Sequence, residues 1–204
     1  MEYNIYISNS SILSILIIFL AINILFIFLK IFKKENTDYK FIYGMFRTRR
    51  LLEIMKKLSD SKFSKVLSIS SLILGPTLII LAVFFLFFGI LTKTPTYVPA
   101  LPGVSYGPIT LPIVQTIISI FIAAFIHELA HGILVYKNNL DLKSWGFFYL
   151  GPLIGAFVEP DEKEIEKLNK KEQIKIYSAG SAINIIAGLI FLFLFLLYSY
   201  LISI

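Results

Sequence analysis

Two histidines and a glutamate stand close together in AFIHELAHGI, residues 124–133, a segment that is otherwise apolar. They are His127, Glu128 and His131. Residues four apart share one face of a helix, so both imidazoles can reach a single metal ion, and Glu128 lies about 100° further round, within reach of a water on that ion. Zinc lowers the pKa of such a water to about 7, and the glutamate takes its proton as hydroxide attacks a peptide carbonyl. The predicted chemistry is zinc-dependent peptide hydrolysis.

The placement of these residues favours a metal site over simple packing. The chain has only two histidines, and both occur here at the required separation. An ionisable side chain at the centre of a bilayer costs roughly 2.5–3.5 kcal/mol on insertion scales, so such groups usually mark a site. The alternative is a pair of core histidines that bond to neighbouring helices, but it leaves Glu128 without a reason. The motif is typical of His-Glu-x-x-His metalloproteases.

Composition indicates a membrane protein. Of the 204 residues, 57% are hydrophobic and only 16% are charged, which is too apolar for an ordinary soluble domain. The net charge of +6 does not indicate nucleic-acid binding, because the basic residues lie between apolar runs and form no patch with stacking aromatics. The chain has no cysteine, which excludes disulfides and thiolate metal ligands.

Four apolar runs are long enough to span a bilayer, which takes about 20 residues in a helix. They are residues 12–32, 66–91, 111–136 and 176–204. Residues 144–159 are also apolar, but they are interrupted by glycine and proline, so we predict a short re-entrant β-hairpin with its turn near Gly151 and Pro152. The predicted fold is an all-α polytopic membrane protein with four transmembrane helices and this hairpin after the third.

The basic residues predict the orientation of the spans, because lysine and arginine accumulate on the cytoplasmic side. Of 19 such residues, only Lys93 lies in the loop between the second and third spans; the others lie in loops 33–65 and 137–175 or, for Lys30, at the end of the first span. Both termini are therefore expected outside. The metal motif is nearer the cytoplasmic end of its span, so we expect the active site toward that side.

Two other local expectations concern the loops and spans. Residues 46–58 mix basic and apolar side chains, which predicts an amphipathic helix on the surface of the lipid bilayer. Asn23 and Gln115 are the only amides in the first and third spans, and each is expected to form a hydrogen bond between helices.

Three blocks of the sequence resemble the site-2 protease family of intramembrane zinc metalloproteases, particularly its archaeal members. They are HELAHG in the third span, GFFYLGPLIGAFVEPDE after it, and IYSAGSAINIIAG at the start of the last span. The likeness covers residues 111–197. It implies that His127 and His131 bind Zn²⁺, that Glu128 is the catalytic base, and that the substrate is a membrane-anchored protein cut within or beside its transmembrane helix.

The resemblance also implies candidate substrate-binding residues. The family often has Gly-Pro-x-x-Asn where this chain has GSAIN, residues 180–184, so serine replaces the proline. Asn184 either steadies the substrate or the developing oxyanion, or packs as an amide between helices. The hairpin is implied to lie beside the zinc, where Gly155 and Phe157 could contact an extended peptide along a strand edge. The alternative is that the hairpin only fills the bundle.

The third zinc ligand is the main departure from the family. Catalytic zinc normally has three protein ligands and a water, and this family takes the third from an aspartate in a Leu-Asp-Gly motif on a later membrane helix. The last span here contains no acid, and Asp141, Glu159 and Asp161 lie in loop and surface regions. We therefore expect a second chain or a further C-terminal segment to supply this ligand.

These inferences divide the chain at residue 110. Residues 1–110 are predicted to form a two-helix membrane region with a basic cytoplasmic loop, and residues 111–204 half of a zinc-protease core. The predicted function is an intramembrane zinc metalloendopeptidase. The alternative is a non-catalytic membrane protein that binds clients and retains the motif as a relic. A metalloprotease of the prenyl-protein type ranks lower, because the last span lacks the downstream glutamate ligand.

Overall fold

Helices make up most of the chain. The computed structural model describes residues 5–7, 9–106 and 108–203. Within this part, four helices are long and apolar enough to cross a membrane, so all four predicted spans are helical. They are α1 (Asn9–Phe32), α3 (Lys62–Thr92), α4 (Ile113–Lys137) and α6 (Lys170–Ile202), and the shorter helices are α2 (Leu52–Ser59) and α5 (Glu162–Glu166).

The outer parts of these helices are apolar on every side. In α6, for example, Leu189, Phe191 and Phe193 are 62%, 62% and 66% exposed. In water this arrangement would be unfavourable, because leaving apolar surface in contact with water costs a free energy of roughly 25 cal/mol for each Å². A helix that is apolar all round and unburied fits contact with lipid.

Two antiparallel sheets accompany the helices. Strands β1 (Ile5–Ile7), β4 (Val104–Tyr106) and β5 (Ile109–Thr110) form a small sheet in the order β1-β4-β5. The larger sheet has the order β2-β3-β6-β7 and consists of β2 (Thr37–Lys40), β3 (Tyr43–Thr48), β6 (Leu142–Leu150) and β7 (Leu153–Pro160).

The hairpin predicted after the third span corresponds to β6 and β7. Its turn lies at Gly151 and Pro152, and Gly151 has a positive φ of 57°, a conformation that glycine adopts without steric cost. The Gly151 N–H donates to the carbonyl of Ile42 at 2.8 Å. Entry of this hairpin into the membrane stays a prediction.

The prediction of a helix over residues 46–58 is wrong for its first part. Tyr43–Thr48 form strand β3, which pairs with β6 in a register that places Phe46 opposite Phe147. Helix α2 begins only at Leu52. Aromatic and β-branched residues favour a pleated surface when a partner strand is present, and that partner lies about 100 residues further along the chain. The sheet is accordingly larger than the predicted hairpin.

The chain divides into two compact units that do not follow a single cut in the sequence. The first unit contains Met1–Leu51, Phe85–Phe125 and Ser144–Glu159, and the second contains Leu52–Phe84, Ile126–Lys143 and Pro160–Ile204. The predicted division at residue 110 stays a prediction.

In the first unit, a buried polar group links α1 to the larger sheet. The Tyr39 hydroxyl donates to Asn23 Oδ1 at 3.1 Å, and the Tyr149 hydroxyl lies 3.2 Å from the same oxygen and also bonds to the Lys40 carbonyl. Tyr149 is completely buried, which raises its pKa to about 12. The expectation that Asn23 bonds to another helix is therefore wrong, because its Oδ1 has partners on strands and its Nδ2 donates to the Phe19 carbonyl of α1 itself. Gln115 is exposed in α4.

In the second unit, small residues let the helices approach closely. Ser64, Ser68, Ser71 and Gly75 are buried along one side of α3, and a Cβ at Gly75 would overlap the Ser178 side chain of α6. The α3 segment and the end of α4 are joined where Lys137 Nζ donates to Ser64 Oγ at 3.0 Å. Such small-residue seams bring backbones together in membrane helices, and here they hold α6 where it can contact α4.

Candidate metal centre

The two histidines lie on one face of α4, as their spacing predicts. The helix continues unbroken from Ile113 to Lys137, and residues four apart on it lie one above the other. The ring centroids of His127 and His131 are 4.8 Å apart, with an angle of 64° between the ring planes. Both side chains are half-buried. This separation allows one ring nitrogen of each histidine to approach the same ion.

His131 is held by a main-chain carbonyl of α6. Its Nδ1 lies 2.7 Å from the carbonyl oxygen of Ile176. A carbonyl oxygen only accepts hydrogen bonds, so Nδ1 carries the hydrogen and donates it. Nε2 then keeps its lone pair and is the nitrogen available to a metal.

His127 is held by two residues of α6. Asn184 Nδ2 lies 3.2 Å from His127 Nδ1. The imidazole also lies directly over Gly180, where a Cβ would overlap Cδ2 and Nε2 of the ring. Only glycine leaves room for the imidazole at this position.

The contacts from α6 form a regular series. Ile176 contacts His131, whereas Gly180 and Asn184 contact His127. These three residues follow one another at intervals of four, so they lie along one face of α6. One face of α6 therefore positions both imidazoles. Sequence reasoning singled out Asn184 but missed Ile176 and the steric role of Gly180, although the matched four-residue spacing on the two helices is a signal that could have found them.

Glu128 follows His127 on α4 and is partly exposed. The helical angle of about 100° per residue turns it away from the ring pair by a quarter turn. Its role as a base stays a prediction.

The donor set for zinc is incomplete within the described residues. In residues 5–7, 9–106 and 108–203, no group of three His, Asp or Glu side chains is arranged to hold a metal. Two of the acids weighed from the sequence have other partners. Glu159 accepts a hydrogen bond from Ser144 and lies 3.7 Å from Arg47, while Asp161 caps α5 by accepting from the Lys163 N–H at 3.1 Å. The two histidines thus fit zinc as two of its three usual protein ligands.

Gly155 and Phe157, the other predicted substrate-binding residues, lie on β7 in the first unit. A Cβ at Gly155 would overlap the ring of Phe148 on β6, and Phe157 packs close to Gly146. Packing within the hairpin is therefore enough to explain a glycine at position 155 and a phenylalanine at position 157. Among the strands that the structure describes, β7 pairs only with β6 and is an edge strand.

Gly180→Ala is expected to weaken zinc binding by about 10–100-fold, the range seen when support around a ligand is lost. The new methyl group would push the His127 ring out of position. Zinc titration against a chelating dye, in lipid nanodiscs, measures the effect. Gly188→Ala, on the same helix, is the matched control, because a Cβ at Gly188 would meet no atom within 4 Å. Equal zinc affinities for the two variants would contradict the role given to Gly180.

The described part of the chain has four helices that are long and apolar enough to cross a membrane. One of them contains a His-Glu-x-x-His motif, formed by His127, Glu128 and His131. This combination is typical of helical membrane proteins of the metalloprotease type. Residues 115–201 match the model of peptidase family M50, which is the site-2 protease family. The resemblance predicted from the sequence is confirmed. Proteases of this family are generally zinc-dependent.

The chain is also similar to an uncharacterised protein of the archaeon Methanocaldococcus jannaschii. The two are 34% identical over 155 residues, which cover 72% of this chain and 41% of the relative. The match thus spans less than half of the relative's length. No solved structure matches the chain.

Proposed function

We propose that the chain is the zinc-binding part of an intramembrane metalloendopeptidase that cleaves membrane-anchored proteins within or next to a transmembrane segment. The observation that carries this proposal is the support given by α6 to both imidazoles. His131 Nδ1 bonds to the Ile176 carbonyl, and His127 Nδ1 contacts Asn184. Donation from His131 Nδ1 leaves its Nε2 free for a metal, and His127 Nε2 is the matching ligand when its Nδ1 likewise carries the hydrogen. A pair of packing histidines would also bond to a neighbouring helix, so zinc content and cleavage distinguish the two functions.

The residues present have distinct tasks in peptide hydrolysis. When bound, zinc supplies a Lewis acid that polarises a carbonyl oxygen and lowers the pKa of water to about 7. His127 and His131 would hold the ion by Nε2. The Glu128 carboxylate accepts a proton from the attacking water and then delivers it to the amine of the cleaved peptide. A lipid bilayer around the apolar helices would exclude bulk water, which would strengthen these charged interactions.

The proposal includes a third zinc ligand in addition to His127 and His131. Catalytic zinc takes three protein ligands, and the described residues bring together two. We assign the third to an aspartate carried by a further segment or a second chain. The alternative function, a client-binding membrane protein with a relic motif, requires no such aspartate.

The substrate would be a transmembrane protein whose helix unwinds next to β7. Hydrolysis needs an extended peptide, and an edge strand holds one by main-chain hydrogen bonds. The position of β7 at the end of the larger sheet supports this role for the segment with Gly155 and Phe157.

The chain would cross the membrane four times, with both termini outside and the zinc toward the cytoplasm. Basic residues at the end of α1 and α4 and at the start of α3 and α6 support this orientation: Lys30, Lys62, Lys137 and Lys170. His131 precedes Lys137 by six residues, or about 9 Å of helix. Water would then have to reach the metal through protein rather than lipid.

Zinc analysis of the purified chain tests the proposal. In nanodiscs, alone or with a peptide helix that carries Leu-Asp-Gly, the chain should hold about one zinc. His127→Ala should remove this zinc, whereas Gln115→Leu, an exposed control on the same helix, should keep it. No zinc under either condition would overturn the proposal. Bound zinc without cleavage of any single-span test protein, when the aspartate is supplied, would favour the relic alternative.

A further inference from the structure

The side-chain amide of Asn184 has one end in contact with His127, and its other end is buried without a hydrogen-bond partner. Its Nδ2 lies 3.2 Å from His127 Nδ1. Its Oδ1 is buried, and no hydrogen-bond donor among the described residues reaches it. Buried polar atoms are nearly always hydrogen-bonded, so an amide oxygen without a partner beside an imidazole calls for a physical reason.

The direction of the bond to His127 decides which ring nitrogen is free. If Nδ2 donates to Nδ1, the imidazole hydrogen must sit on Nε2, and that nitrogen cannot bind a metal. If Oδ1 accepts from Nδ1–H, Nε2 keeps its lone pair. The two ends of an amide have the same shape, so the hydrogen-bonding partners decide which end faces the ring. A half-turn of the amide exchanges them.

We infer that Asn184 is a positioning residue whose Oδ1 accepts a hydrogen bond from His127 Nδ1–H and so makes Nε2 the zinc ligand. This inference rests on the proposed function for its purpose, but it concerns an interaction of the metal-free protein as well. It gives the amide oxygen a donor in the imidazole. It also makes the two histidines equivalent, since His131 Nδ1 already donates to an oxygen, the Ile176 carbonyl, on the same face of α6.

The half-turn places the NH₂ end of Asn184 at the buried position that has no partner among the described residues. Of the two interpretations that the sequence left open for Asn184, this role agrees with an amide packed between helices. Its oxygen fixes a zinc ligand, and the amide as a whole packs between α4 and α6.

Two substitutions separate this role from packing. Asn184→Asp keeps the shape and an acceptor oxygen but loses the donor, whereas Asn184→Leu keeps a similar volume and loses both. We expect zinc affinity to fall about 10–100-fold in Asn184→Leu and to stay close to the unmodified value in Asn184→Asp. Zn²⁺ titration of the full chain in nanodiscs against a chelating dye measures both. Gly188→Ala on the same helix is the control.

A second measurement needs no metal. The chain has only two histidines, so ¹⁵N-histidine labelling yields two ring systems whose nitrogen shifts report which atom carries the hydrogen. At a pH where the rings are neutral, His127 should carry it on Nδ1 in the unmodified chain and in Asn184→Asp. In Asn184→Leu this preference should be lost, while that of His131, held by a backbone carbonyl, should remain.

The outcomes distinguish this inference from the proposed function. A hydrogen on His127 Nε2 in the unmodified chain, or equal zinc affinity in Asn184→Leu and the unmodified chain, would overturn the role of Asn184 while leaving the zinc site itself in place. Absence of zinc binding in every variant would contradict the proposed function, and the nitrogen shifts would then decide the role of Asn184 alone.

Discussion

Glu128→Gln is expected to lower cleavage of a membrane-anchored substrate by about 10²–10⁴-fold, the contribution of a general base, without lowering zinc content. Glutamine has nearly the same shape as glutamate but cannot take up the proton of the attacking water. Neither histidine depends on Glu128 for its Nδ1 partner, since those partners are on α6. The metal site should therefore survive the substitution. Gel analysis of a single-span test protein in proteoliposomes, with the third-ligand segment supplied, measures cleavage, and elemental analysis measures zinc.

The control for Glu128→Gln is the same change at an exposed glutamate away from the motif. Glu164 on α5 pairs with Lys167 at the surface, and its replacement by glutamine should leave both cleavage and zinc unaltered. Cleavage retained by Glu128→Gln would remove Glu128 from the mechanism. Loss of zinc together with cleavage would instead assign Glu128 to the ligand set.

His131→Leu should abolish detectable cleavage and weaken zinc binding by more than the roughly 10–100-fold that follows from loss of a supporting contact. The change removes a ligand rather than a neighbour of one. Leucine fills a similar apolar volume, so packing against α6 should largely persist, although the Ile176 carbonyl loses its donor. Loss of that bond is expected to cost about 1–3 kcal/mol. Zinc titration and thermal unfolding, both in nanodiscs, measure the two effects separately.

The same substitution tests the packing alternative. If the histidines served only the helix interface, replacing His131 with an apolar residue would change stability modestly and would leave zinc content and cleavage unchanged. Unfolding measured with excess chelator keeps bound metal from contributing to the apparent stability. A His131→Leu chain that cleaves normally would contradict the metal site at its centre.

The helices and the spacing of the motif could be predicted from the sequence because they depend on neighbouring residues. A run of about 20 apolar residues has few alternatives to a helix in a membrane, and α1, α3, α4 and α6 follow those runs. The shared face of His127 and His131 follows from the helical repeat alone. The turn at Gly151 and Pro152 was likewise signalled by its own two residues.

Contacts between segments that are distant in the sequence were decided by the tertiary structure. Residues 43–48 were expected to be partly helical, and they form a strand because β6, far along the chain, pairs with them. Asn23 was expected to bond to another helix, and its Oδ1 bonds to two tyrosines on strands instead. Local propensity is weaker than these tertiary interactions, so it does not decide such cases.

The metal centre combines both kinds of information. Sequence by itself determined which residues have metal-binding chemistry, since their type and local spacing are sufficient for that. Only the tertiary structure decided how the rings are held, because His131 and Ile176 are 45 residues apart and His127 and Asn184 are 57 apart. The direction of a hydrogen bond to an imidazole depends on the group that packs against it, and helix packing places that group.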